Sequence, residues 1–150
     1  MNLINFKLVT PERTVLQQEL VSLACPTTLG QITILPGHTV LVATLIPGEL
    51  HAKTATNDFY IFVSGGFVQI NPNNQVIILA DAAEHHHEID QTRAEEAHAR
   101  AQKALSEQKL SDEDYAKVAA ALERSLGRIH IKRKHSHRKN PLTGQSAFKE

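Results

Sequence analysis

The hydrophobic period of this chain changes once, near residue 84, and that change limits what the chain can fold into. From Leu3 to Ala80 apolar runs of four to seven residues recur about every 8–12 positions, each cut by Pro, Gly or Asn. Leu3 to Val9 ends at Thr10-Pro11, and Val15-Leu16 and Leu20 to Cys25 follow, with Pro26 as the stop. Ile32 to Leu35 runs into Pro36-Gly37, and Val40 to Ile46 into Pro47-Gly48. Phe59 to Val63 ends at Ser64-Gly65-Gly66, Phe67 to Ile70 at Asn71-Pro72-Asn73-Asn74, and Val76 to Ala80 closes the series. Short strands at this spacing predict an antiparallel sandwich or barrel. A parallel sheet would need crossover helices, for which these intervals leave no room.

Beyond Glu84 the period becomes helical. Asp90 is placed to cap a helix, its carboxylate accepting from free amides of the first turn. Ala94, Ala97, Ala101, Ala104 and Leu105 then mark one face. Ser111 followed by Asp112-Glu113-Asp114 predicts a second helix start, because acids are favourable in a first turn. Tyr115, Val118, Leu122, Leu126 and Ile129 follow at steps of three and four. A short link near Lys109 to Ser111 predicts an antiparallel hairpin. Its alanine seam permits close approach but buries little apolar area, so the pair is expected to be marginal alone and able to change conformation. The domains read from these shifts are a β-sandwich over 1–84, a hairpin over 85–131 and a basic, disordered tail over 132–150.

Formal charge cancels at 16 basic against 16 acidic side chains. The three segments carry net −3, −2 and +5 in turn. A neutral whole argues against bulk binding to nucleic acid or to a membrane surface. No run approaches the ~20 apolar residues that cross a bilayer, so no direct membrane insertion is expected. The first residues lack the layout of a signal peptide, and the lone Cys25 suits a reducing compartment.

Several strings are more specific than this outline. Leu35-Pro36-Gly37-His38 with Pro47-Gly48, Val63-Ser64-Gly65-Gly66-Phe67-Val68, Val76 to Asp81, and Ile89-Asp90-Gln91-Thr92-Arg93-Ala94 occur in order. Together they resemble the epsilon subunits of bacterial F-type ATP synthases over about residues 3–131. The resemblance implies a flattened sandwich of about ten antiparallel strands followed by a helical hairpin. It implies a non-catalytic rotor subunit of the central stalk, peripheral on the cytoplasmic face of the bacterial inner membrane. Its partners would be the gamma subunit and the membrane rotor (c) ring, with the catalytic beta and alpha subunits met when the hairpin extends and blocks hydrolysis. The loop of Pro36, Gly37 and His38 would face a partner.

Four arginines are the strongest candidate binding set. Arg93 and Arg100 share one face of the first helix, Arg124 and Arg128 one face of the second, and a folded hairpin brings them together. Guanidinium forks suit phosphate oxygens. Some members of the resembling family bind ATP at matching positions, here Glu84, Ile89, Asp90, Arg93, Ala94, Arg100, Arg124 and Arg128. ATP is thus expected as a regulatory ligand and no cofactor as a requirement. The plainer alternative is four solvated arginines pairing with Glu95, Glu96 or Glu123. His85-His86-His87 and His135-x-His137 lack the spacing that closes a tetrahedral metal site, so no metal site is expected. Two other functions compete: a cupin-like metal-dependent enzyme using His38, and a free-standing nucleotide-sensing module.

Overall fold

The computed structural model describes residues 2–107 and 109–135. Ten strands come first: β1 (Ile4–Val9), β2 (Thr14–Leu20), β3 (Ser22–Thr27), β4 (Gly30–Ile34), β5 (Leu41–Leu45), β6 (Gly48–Lys53), β7 (Asp58–Val63), β8 (Gly66–Asn71), β9 (Gln75–Ala80) and β10 (Ala83–His85). Two helices follow, α1 (Gln91–Glu107) and α2 (Asp112–Lys134). The strands pair along one path, β10-β7-β6-β3-β5-β8-β9-β1-β2, with β4 added on β3. Nε2 of His85 lies 3.2 Å from the Val15 carbonyl, so the two ends of the path approach each other and enclose a core. Alternation fills that core: Ile4, Phe6 and Leu8 are buried while Asn5 and Lys7 face water, and Val68, Ile70, Val76 and Ile78 complete the layer.

Two details depart from the strand pattern in the sequence. The β1–β9 pair is parallel, with Asn5 to Val9 in register with Gln75 to Leu79. No crossover helix is needed, because the seven strands between them serve as the connection. Pro26 does not end its strand either, since β3 continues to Thr27. One edge of β3 changes partner there, from β6 at Ser22 to Ala24 to β5 at Thr27. The missing Pro26 N–H falls at that change, and its carbonyl still accepts from the Ile46 amide at 3.2 Å. Glycine is required where β7 turns into β8. Gly66 has φ +131°, and a Cβ there would lie 2.1 Å from the Leu79 carbonyl oxygen.

The hairpin begins and ends as its cap residues dictate. Asp90 accepts from the Arg93 amide at 3.1 Å, and Ser111 accepts from the Asp114 amide at 3.2 Å. The helix α2 runs past Ile131 through Lys132-Arg133-Lys134, basic residues that suit a helix C-terminus. The tail expected over 132–150 is therefore helical at its start; its part beyond His135 lies outside the described residues. The buried face also differs from the expected one. Tyr115 and Leu126 are about half exposed, whereas Ser125, Ile129 and Ile131 are buried. The cause is β7, whose Phe59, Ile61 and Val63 enter the core while Tyr60 and Phe62 point the other way and are buried too. The C-terminal half of α2 lies over that outer face.

Candidate functional site

Phe62 forms a small second cluster with Ile89 of the linker and Ile131 of α2, all buried. The helix comes so close that a Cβ on Gly127 would stand 2.6 Å from Cε2 of Phe62. Arg128, the next residue, lays its guanidinium over the Phe62 ring at 4.9 Å from the centroid. The same side chain donates through Nε to Oε1 of Glu84 at 3.0 Å. One aromatic ring thus fixes where linker and helix meet.

Beside this contact lies an open cleft of about 570 Å³ lined by Glu84, Glu88, Ile89, Asp90, Arg93, Ala94, Glu96, Ala97, Arg100 and Arg128. Seven of the eight residues expected at a nucleotide site line it; Arg124 does not. Its charges are already partly matched. Glu84 takes Arg128, and Glu88 takes both terminal nitrogens of Arg13 at 3.1 and 2.8 Å. Asp90 is occupied as the cap of α1. Arg93 and Arg100 have no ion pair among the described residues and are exposed, so they are open to an anion. Of the pairings considered for solvated arginines, none forms here; Glu95 pairs with Arg133 at 3.1 Å.

No local signal points to Arg13 at this junction, because 75 residues separate it from Glu88. Burial pushes the Glu88 carboxyl up, but the Arg13 hydrogen bond, the His85 amide and nearby positive charge outweigh it and hold the group below its ordinary value of 4.5. The three adjacent histidines diverge: His85 points to Val15, His87 stacks on His85 at 5.1 Å, and His86 faces Tyr60 edge-on at 6.2 Å. Among the described residues no group of three or more potential ligands is arranged to hold a metal. The loop of Pro36, Gly37 and His38 lies elsewhere on the sandwich. Gly37, at φ +84°, donates its amide to the Asn74 side chain at 2.6 Å, which ties this loop to the β8–β9 turn.

Comparison with known proteins places this arrangement. The family model for the ATP synthase delta/epsilon chain β-sandwich domain matches residues 3–86, and that for the long α-helix domain of the same chain matches 87–133. The chain belongs to the ATP synthase delta/epsilon chain family. Within that family it is 41% identical over 128 residues to the ATP synthase epsilon chain of Herpetosiphon aurantiacus, covering 85% of this chain and 93% of that one. It is 36% identical over 138 residues to the epsilon chain of Dehalococcoides mccartyi, covering 92% and 96%. A chain in the Euglena gracilis mitochondrial ATP synthase shares the fold at a TM-score of 0.75 and 23% identity, over 85% of this chain and 79% of that chain. A chain in the Tetrahymena thermophila enzyme does so at 0.62 and 16%, over 89% and 96%. The boundary between the two family models, at 86/87, falls in the histidine run that leads into the cleft.

The Arg13–Glu88 pair anchors this linker and makes a defined contribution. A carboxyl held below 4.5 stabilises the folded state fully above that value, and the contribution is lost as pH falls through the lower folded value. Because both side chains are partly exposed, Glu88→Gln is expected to cost about 0.5–1 kcal/mol near neutrality. The gap between the two proteins should close below about pH 4.5. Urea melts at several pH values check this, and a gap that widens on acidification would contradict it.

Proposed function

We propose that this chain is the epsilon subunit of a bacterial F-type ATP synthase, a non-catalytic part of the central stalk. Its sandwich couples the gamma subunit to the c ring, with the Pro36-Gly37-His38 loop at a partner contact. Its hairpin leaves the sandwich to meet the catalytic beta and alpha subunits and inhibit hydrolysis. In this reading the protein sits peripherally on the cytoplasmic face of the inner membrane, and residues 1–84 and 85–131 act as separate units. The relatives named epsilon chain support the assignment, and so does the presence of F1 and a c-ring in the Euglena structure that shares the fold.

The observation that carries the movable hairpin is how little holds it. Its anchors are the apolar cluster of Phe62, Ile89 and Ile131 and the stack of His135 on Tyr60. At ~1.5–3 kcal/mol per buried side chain, less the cost of ordering, docking is worth only a few kcal/mol. A ligand at a hundred times its dissociation constant contributes about 2.7 kcal/mol to the state it binds, enough to decide between docked and extended forms. ATP is the ligand we assign to the cleft, its phosphates on Arg93 and Arg100 and the docked state as the one it favours. No cofactor is required.

Two measurements test this. Added to F1 lacking its own epsilon subunit, the full chain should lower ATP hydrolysis, while a chain ending at His86 should bind without lowering it. Equal inhibition by both would remove the hairpin from the mechanism. In calorimetry of the isolated chain, Arg93→Ala should weaken ATP binding about tenfold or more, the loss of one charge-assisted hydrogen bond. Unchanged affinity would remove the cleft from that role.

A further inference from the structure

We infer that Arg13, carried on the turn between β1 and β2, is a positioning residue of the cleft: it matches the charge of Glu88 and so leaves Arg93 and Arg100 to phosphate oxygens. The inference rests on the assignment of ATP to that cleft made above. Arg13 does not itself line the cleft and acts through Glu88, which does.

Both partners are held by the sandwich. The buried Thr10 closes the turn that presents Arg13: its amide donates to the Arg13 carbonyl at 2.9 Å. Its hydroxyl donates to the same carbonyl and accepts from the Arg13 amide, each at 3.2 Å. On the other side, the Glu88 amide donates to the His85 carbonyl at 2.9 Å, and Glu88 Oε2 accepts from the His85 amide at 3.0 Å. That closes a tight turn after β10, which is itself paired with β7. The Arg13 guanidinium then donates to the two carboxylate oxygens at 3.1 and 2.8 Å, the fork geometry that suits a carboxylate. Neither helix sets the position of the Glu88 carboxylate.

Charge makes the pair matter to the cleft. Four acids, Glu84, Glu88, Asp90 and Glu96, line it against three arginines, Arg93, Arg100 and Arg128. Those residues alone sum to −1, a poor host for a polyphosphate. Arg128 is spent on Glu84, and Asp90 on an amide in the first turn of α1. An unmatched Glu88 would repel the anion or draw a helix arginine to itself. Its carboxyl sits below its ordinary value, so it is charged at neutral pH. Arg13 brings the sum to zero while Arg93 and Arg100 stay unspent. Because the side chains of Arg13 and Glu88 are 48% and 32% exposed, the effect is moderate and sensitive to salt.

Calorimetry of the full isolated chain with ATP near neutral pH tests this. At about 0.05 M salt Arg13→Ala should weaken binding by about three- to tenfold, the effect of one unmatched charge near the phosphates. At about 0.5 M salt most of the gap between the two proteins should close, which the loss of a merely structural contact would not cause. The double variant Arg13→Ala with Glu88→Gln should bind as the unaltered chain does, because the acid is gone with its partner. Unchanged affinity in Arg13→Ala would overturn the inference. A loss that persists at the higher salt, or in the double variant, would overturn it too. Failure of the cleft assignment looks different: the unaltered chain does not bind ATP, or Arg93→Ala binds it equally well, and either result removes both claims.

Discussion

The structure depends on a strand that is buried on both sides. In β7 the residues Phe59, Ile61 and Val63 fill the sandwich core, while Tyr60 and Phe62 are buried on the opposite face. An antiparallel sheet normally leaves one face wet, so an apolar outer face needs a cover. The C-terminal half of α2 is that cover. Phe62 receives Ile89, Ile131 and the Arg128 guanidinium, and the bare backbone at Gly127 lets the helix reach it. Without that glycine the ring and the helix could not share the space.

Function follows from the disproportion between the two parts. The sandwich core takes residues from all ten strands and closes on itself, so it can transmit force as a rigid body. The hairpin rests on a cluster of three apolar residues, on the stack of His135 against Tyr60 and on partly exposed ion pairs. Both helices are capped at their N-termini, by Asp90 and Ser111. A closed sandwich joined to a weakly docked hairpin is the arrangement on which the proposed rotor role rests. The linker touches both parts: its His86 ring meets His135 at the end of α2, and its Ile89 and Asp90 line the cleft.

Much of this was legible in the residues. Strand runs, their Pro, Gly and Asn breaks apart from Pro26, and both helix caps are local signals, and they fall where local chemistry dictates. The run Phe59 to Val63 was legible as a strand, but that its second face docks a helix was not. What stayed hidden is what distance conceals. Arg13 and Glu88 are 75 residues apart, and Glu84 and Arg128 are 44 apart. The pairing of β1 with β9 depends on the whole intervening sheet. Tyr115 and Leu126 match a helical period, yet they are about half exposed, because β7 reaches only the far half of α2. Arg124 and Arg128 share a helix face, but only Arg128 is drawn to Phe62 and Glu84, so only it lines the cleft.

Gly127→Ala separates docking from helix strength most directly, because the two act in opposite directions there. Alanine in a helix interior is favoured over glycine by about 1 kcal/mol, which alone would slow hydrogen exchange along α2. Its Cβ would press on the buried Phe62 ring, which should loosen docking instead. The measurement is exchange of the α2 amides from Gly127 to Lys134 in the isolated chain at constant pH, beside the same amides in the unaltered chain. Faster exchange in Gly127→Ala, with the sandwich unchanged, is the expected result. Slower exchange would contradict the close packing of Gly127 on Phe62 as the contact that holds the hairpin.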